Sequence, residues 1–181
     1  MHLEIETPSV EPITLEEVKA HLRVTSDDED DYIQSLIPVA REWGETFQGR
    51  SWITRSIEYF IEAWPSSPVQ LPRPPIQEIT SVKYVTDDGE YTLAQDEYML
   101  DPIGRLYIYK PPPAEDVRYM KITYKAGYGD NPTSLPRRVK QAMLLLIGHW
   151  YENREIISDK PTNDIPYTAE LLLMQERIIP V

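Results

Sequence analysis

The residues of this sequence whose types most often take part in catalysis or metal binding are an acidic run and three histidines. Asp27-Asp28-Glu29-Asp30-Asp31 places five carboxylates in a row, but the run lacks the alternating ligands and central glycine of a calcium loop. His2, His21 and His149 do not have the i, i+4 spacing of a metal-binding pair on one helix. We therefore predict no metal site and no cofactor, and interpret the acidic run as the solvated start of a helix.

No arrangement of residues singles out a nucleophile or a phosphate loop. The chain has no cysteine, which excludes thiolate chemistry, disulfides and iron–sulfur clusters. Gly127-Tyr128-Gly129 is too short to cradle a phosphate and is interpreted as a turn. No serine lies in a nucleophile-elbow motif. The residues alone predict no catalytic residue and favour a binding or assembly module over an enzyme.

Charge is distributed unevenly along the 181 residues. Thirty acidic residues against 18 lysines and arginines give a formal charge of −12, which disfavours wrapping DNA through its phosphates. Residues 1–31 carry a net −8, whereas residues 117–140 carry a net +5. Patches of opposite sign suit head-to-tail contact between copies of one chain.

Helical spacing is found at the two ends of the chain. Thr14 followed by Glu17 is a capping box before a short apolar stripe, and Ser26 followed by Glu29 predicts a second one. The second helix carries apolar residues to Phe47, with Gly49 as its C-terminal cap and a kink or break at Pro38. Near the other end, Pro136 is expected to open a buried helix that runs to about residue 156.

The middle of the chain alternates with the period of β-strands. Strand patterns cover 53–62, 79–85, 90–93, 105–109 and 117–126, and a turn at 87–89 predicts a hairpin. The proline-rich segment 65–76 is expected to be an extended connector. The absence of helix-length crossovers favours a small antiparallel sheet over a parallel one.

The predicted fold class is therefore α+β, an α-helical core from the two chain ends with an inserted antiparallel β domain. We assign residues 1–50 to the N-terminal helical part, 51–126 to the β domain, 127–157 to the C-terminal core helix and 158–181 to a tail. One composite domain is expected. No membrane span or signal peptide is recognised, so we expect a soluble, unexported protein. Twelve tyrosines and four tryptophans against two phenylalanines suit protein interfaces and sheet edges equally.

Four stretches of this sequence resemble the head-tail connector proteins of tailed bacteriophages, also called adaptor or head-completion proteins, in the longer form with a β insertion. They are 11–54, 71–89, 124–155 and 169–181. The most specific is YKAGYGDNPTSLPRRVKQAMLLLIGHWYENRE at 124–155. The chain departs from the family between 100 and 118, where it is short, and at its last residues, where the family often has a tyrosine-arginine pair.

The resemblance implies a structural virion protein of the neck, assembled in the host cytoplasm. It would form a homo-oligomeric ring below the portal protein, bind a stopper or tail-completion protein on the tail side, and let DNA pass without sequence-specific binding. Acids that face such a channel would repel DNA. Another neck or tail-completion protein with the same helical core is the alternative, and a metal-dependent packaging nuclease or hydrolase is a further one.

The oppositely charged segments 1–31 and 117–140, together with the apolar C-terminal run, contain the candidate interface residues for such a ring. The ring-interface candidates are Arg137, Arg138, Lys140, Asp27, Asp28, Asp30 and Asp31. The portal-binding candidates of the tail are Tyr167, Leu171, Leu172, Leu173, Met174, Ile178 and Ile179.

Overall fold

The computed structural model describes residues 1–62, 64–65, 68–111, 116–154 and 166–178. The fold is α+β, as predicted. In chain order its elements are β1 (His2–Ile5), α1 (Leu15–Leu22), α2 (Asp30–Gln48), β2 (Arg55–Glu62), β3 (Val69–Gln70), β4 (Ile76–Val85), β5 (Glu90–Thr92), β6 (Tyr98–Leu100), β7 (Arg105–Ile108), β8 (Tyr119–Ala126), α3 (Arg137–Glu152) and α4 (Tyr167–Met174). The chain divides into a β unit, Met1–Ser9 with Thr54–Tyr128, and a helical unit, Val10–Ile53 with Gly129–Val181.

The helical unit is organised around α3, whose inward face is entirely apolar. Its fully buried residues recur at helical spacing and are Val139, Ala142, Met143, Leu146 and Ile147. The helices α1, α2 and α4 all pack against α3. The helix begins after Pro136, as predicted, and ends at Glu152 rather than near residue 156.

The capping signals of the first helix are confirmed, and those of the second are partly wrong. The Thr14 hydroxyl accepts the amide of Glu17 at 3.2 Å and the Glu17 carboxylate accepts the amide of Thr14 at 2.8 Å. Gly49 ends α2 in the left-handed conformation, with φ at 68°. The second capping box does not form, because Ser26 accepts the amide of Asp28 instead and α2 begins only at Asp30.

Of the kink or break predicted at Pro38, the break does not occur. The helix α2 runs from Asp30 through Pro38 to Gln48. Proline removes one amide donor, which leaves the carbonyl of Gln34 without its helical partner. Because Gln34 lies on the exposed side of the helix, water can satisfy that carbonyl.

The β unit contains two antiparallel sheets rather than one small one. The larger has the order β1-β2-β8-β4-β5 and the smaller the order β3-β7-β6. Tyr59, Val82, Met120, Ile122 and Tyr124 belong to the apolar core of this unit. The predicted hairpin is present, with β4 paired to β5 and the amide of Thr86 donating to the carbonyl of Gly89 at 2.9 Å.

The first nine residues belong to the β unit, although the sequence placed them with the helical part. Strand β1 adds to the edge of the large sheet, where His2 faces Phe60 and Ile5 faces Ile57. A four-residue strand has too short a pattern to be recognised without its partner. Strand β3, at Val69–Gln70, likewise lies inside the predicted proline-rich connector.

Candidate assembly surfaces

The acidic run before α2 is partly neutralised by a lysine of the same chain. Lys19 Nζ lies 2.6 Å from carboxylate oxygens of both Asp27 and Asp30, and its side chain is only 14% exposed. The hydrogen bond from Lys19 lowers the pKa of the Asp27 carboxyl, and the same contacts raise the pKa of the lysine. Asp28 bonds locally to Ser26, and Asp31 is exposed. Only Asp28 and Asp31 of these four candidates therefore remain without a basic partner in the described residues.

The basic candidates at the start of α3 differ in the same way. Arg138 contacts the carboxylate of Glu176, and Lys140 Nζ lies 3.6 Å from a carboxylate oxygen of Glu17. Arg137 is exposed, and no partner for it occurs in the described part of the chain. It also occupies the first turn of a helix that has no acidic residue there, a position where the helix dipole attracts anions. Arg137 is thus the residue of this group with charge left for another molecule.

The tail helix α4 has two unlike faces. Ala169 and Leu173 are fully buried, whereas Tyr167, Leu171 and Met174 are 62%, 44% and 48% exposed. The exposed residues follow the i, i+4, i+7 spacing of one helical stripe. Leu172 is half-buried and Ile178 is 37% exposed. Ile179 lies outside the described residues.

The end of the tail is attached to its own helical unit by polar contacts. Gln48 Nε2 donates to the Leu173 carbonyl at 2.8 Å, and Arg50 Nε donates to the Glu176 carbonyl at 2.6 Å. The Ile178 amide donates back to the Gln48 carbonyl at 2.9 Å. A helix leaves its last four carbonyls without internal donors; Gln48 supplies a donor to one of them, and Arg50 binds the turn that follows α4.

A buried polar network under this attachment was not predicted from the sequence. Gln48 Oε1 accepts the indole N–H of Trp52 at 2.8 Å, and Glu45 accepts the Trp52 amide at 2.7 Å. Arg41 contacts Glu45 at 3.4 Å and Glu11 at 2.9 Å. Arg41, Glu45 and Gln48 recur at helical spacing on the buried face of α2. Their phase with Ile37 and Gly44 is the sequence signal that identifies them as inward-facing.

The outer side of α2 carries a partly exposed aromatic pair. The rings of Trp43 and Phe47 stack with their centroids 5.1 Å apart, and the guanidinium of Arg177 lies 4.5 Å from the Phe47 ring. Val39, one turn earlier, is 49% exposed. Half-exposed aromatic and arginine side chains are typical of protein interfaces.

A second aromatic and arginine cluster joins the start of α2 to the end of α3. The guanidinium of Arg154 lies 4.4 Å from the Tyr32 ring and 5.1 Å from the Tyr151 ring. Glu29 accepts from Tyr151 and pairs with Arg154. These two contacts, that of Tyr151 foremost, lower the pKa of the Glu29 carboxyl.

The histidines do not converge on a site. His2 contacts Glu4 at 3.4 Å in the β unit, and His149 contacts Asn153 at 3.4 Å. Among the described residues, no group of three or more His, Cys, Asp or Glu side chains is arranged to hold a metal ion. No helix in the described ranges is long and apolar enough to cross a membrane.

These features define the fold class of the protein: it is an α+β module with exposed charged residues and, on α4, an exposed apolar stripe. Residues 11–163 match the family "head completion protein", and the chain belongs to that family. The family recognised from the sequence is therefore confirmed. The expected function, a structural neck protein that joins head to tail in the virion, is confirmed with it. No curated protein matches the chain.

Among the solved structures that are similar to the whole chain are three from gene transfer agent particles. A chain from the virion of a native gene transfer agent particle is 25% identical with a TM-score of 0.79, covering 100% of this chain and 97% of that chain. Two necks of such particles share the fold at the same coverages. The neck of the empty particle, computed with C6 symmetry, gives 24% identity and a TM-score of 0.81, and that of the native particle, computed with C12 symmetry, gives 23% and 0.73.

Proposed function

We propose that copies of this protein form a closed ring below the portal and extend the DNA channel toward the tail. The observation that carries the proposal is the family match over residues 11–163. The neck structures of similar fold were computed with C6 and C12 symmetry, which supports a ring as the form of assembly. The role is structural rather than catalytic, and DNA passes through the channel without being read.

The helical unit is proposed as the part of each copy that forms the ring. Support comes from the chain path, because most of the β unit, Thr54–Tyr128, lies between the two stretches of the helical unit. The first nine residues also join the β unit, so it is not a simple insertion. One face of the ring would bind the portal, and the other a tail-side stopper or completion protein.

The contact between neighbouring copies is proposed to bring Arg137 of one copy to Asp28 and Asp31 of the next. A ring requires two different surfaces on each copy, and these groups are unlike in charge. Arg138, Lys140, Asp27 and Asp30 contribute less, because each has a partner in its own chain.

Reversing the charge of Arg137 tests this contact directly. The Arg137→Glu variant should lose ring formation at low salt, with a smaller defect at high salt because screening weakens the original attraction as well as the new repulsion. Arg118→Glu is the control, since Arg118 is an exposed arginine of the β unit that pairs with Asp87 of its own chain. Native mass measurement and negative-stain images of the protein with the portal give the readout. Equal assembly of the Arg137 variant and the control would overturn the proposed pairing.

The tail is proposed to contact the portal through Tyr167, Leu171 and Met174. Deleting 166–181 is a poor test, because it would also remove the partners of Gln48 and the buried Leu173. Leu171→Asp changes the exposed stripe alone and should abolish capture of the portal, while Thr168→Asp alters an exposed neighbour as a control. Portal capture by the Leu171 variant at the wild-type level would refute this role.

The proposed function as a whole is tested by the particle. The purified protein mixed with the portal should give ring-shaped complexes, and purified virions should contain the chain at the neck. Virions that lack the chain, or a mixture that stays monomeric, would overturn the proposal. A calorimetric titration with magnesium or manganese tests the nuclease alternative, for which we expect no binding.

A further inference from the structure

The C-terminal segment 173–178 is held by its own subunit at four separate points. Gln48 and Arg50 donate to the carbonyls of Leu173 and Glu176 at 2.8 and 2.6 Å. The Ile178 amide donates to the Gln48 carbonyl at 2.9 Å, and Arg138 pairs with the Glu176 carboxylate. Three of these contacts use backbone groups of the tail, so they depend on its conformation as much as on its side chains.

An eight-residue helix does not hold its own shape in water. Isolated helices shorter than about 12 residues are marginal even in favourable sequences, and α4 spans only Tyr167–Met174 with two fully buried residues, Ala169 and Leu173. Its N-cap residue, Pro166, makes no side-chain cap hydrogen bond. The order of α4 therefore depends on its packing against α3 and on the groups that bind its last turn.

Gln48 is the residue through which this binding is coupled to the core. Its side chain is fully buried, with its oxygen on the Trp52 indole and its nitrogen on the tail. Because a buried donor without a partner is costly, removing the tail from this position would leave the Gln48 amide unsatisfied. The core and the tail thus favour a single docked arrangement.

We infer that Gln48, Arg50 and Arg138 form a latch that holds α4 as a preformed ridge, so that Tyr167, Leu171 and Met174 are presented in fixed positions before any partner binds. A partner that meets a preformed ridge does not have to supply the ordering entropy of the tail. The use of the ridge for portal contact rests on the proposed function, but its existence in the free protein does not. Gln48 acts here as a positioning residue.

Hydrogen exchange on the free, full-length protein tests the latch without any partner. In the wild type, the amides of residues 169–178 should be protected. Gln48→Glu keeps an acceptor for the Trp52 indole but removes the donor to the Leu173 carbonyl. We expect it to raise exchange of the α4 amides by about tenfold or more, with α3 amides unchanged. Gln34→Ala, an exposed glutamine on the same helix, is the control and should change neither set.

Two results would overturn the inference. One is a wild-type α4 that exchanges like an unstructured peptide. The other is a Gln48→Glu protein in which α3 and α4 accelerate equally, which would make Gln48 a general stability residue. If Gln48→Glu does not fold, Arg50→Gln tests the latch from a half-buried position, through the neighbouring Glu176 carbonyl. If the α4 amides of the free protein are protected but the protein does not bind the portal, the proposed function is refuted and the inference of a latch remains valid.

Discussion

Gly44→Ala is expected to destabilise the helical unit, although alanine is the better helix former. Gly44 lies in the interior of α2, where alanine would ordinarily add about 1 kcal/mol of stability. A Cβ at this position would lie 2.6 Å from Trp52 Cζ2 and closer still to Cη2. Trp52 is fully buried, and its indole N–H and amide are bonded to Gln48 and Glu45. The ring therefore cannot move aside without losing hydrogen bonds.

The gain in helix propensity and the cost of overpacking differ enough in size to decide the sign of the change in the free energy of unfolding. Overpacking of this kind costs about 1–3 kcal/mol, and each lost hydrogen bond of Trp52 costs about 1 kcal/mol more. After the gain in helix propensity, we expect a net loss of roughly 2–3 kcal/mol in the free energy of unfolding. For a chain of this length that lowers the melting temperature by roughly 5–10 °C.

Gly148→Ala on α3 is the matched control. A Cβ there would meet His21 Nε2 at 3.6 Å and Leu22 Cδ2 at 3.7 Å, which is ordinary contact. This variant should keep or raise stability by up to about 1 kcal/mol. Thermal and urea unfolding followed by circular dichroism measure the stability of both alanine variants. In a double-mutant cycle, Trp52→Phe should relieve much of the stability that Gly44→Ala loses. If the two alanine variants are equally stable, the packing argument is wrong.

Three further predictions follow from the ion pairs and the buried tyrosine. Lys19→Met should lower the melting temperature, most at low salt, because Asp27 and Asp30 lose their shared partner. Lys110→Met, at an exposed lysine, is the control. Equal melting temperatures of the two variants would contradict the prediction. The pKa of Glu29 is lowered from 4.5 by Tyr151 and Arg154, so its stabilising contribution is present above the unfolded pKa and is lost as pH falls through the folded pKa. In urea unfolding, Glu29→Gln should have a lower free energy of unfolding than the wild type at neutral pH and nearly the same value in acid. A difference in free energy that does not change with pH would refute this. Tyr124→Phe removes the 2.9 Å hydrogen bond to the Pro72 carbonyl and should cost about 1 kcal/mol, whereas the exposed Tyr109→Phe should cost nothing measurable by the same assay.

Local signals in the sequence predicted the elements whose causes are local. The capping box of Thr14 and Glu17, the glycine cap at Gly49 and the apolar face of α3 depend on residues within a turn or two of each other. The failed capping box at Ser26 shows where this reasoning ends. Lys19, eight residues before Asp27, binds two acids of the run and fixes a different start for α2.

Contacts between distant parts of the chain could not be read in the same way. Strand β1 pairs with β2 across more than 50 residues, and nothing in its four residues specifies that partner. For the tail, the apolar run was interpreted as a surface for other molecules. The structure divides it into a buried face with Leu173 and an exposed face with Leu171, a division that requires knowing which residues receive the helix.

The buried polar residues of α2 are better explained by geometry than by stability. A well-packed apolar core is often as stable as a buried ion network, so stability alone does not account for Arg41 and Glu45 in place of apolar residues. A hydrogen bond, however, is satisfied only in one arrangement, whereas apolar side chains tolerate several. In a closed ring, a small error in the shape of each subunit is repeated at every interface. A network that fixes α2, Trp52 and the tail in one arrangement would therefore suit a subunit of the proposed ring. If the ring forms as proposed, loosening the network should impair its closure before it impairs folding.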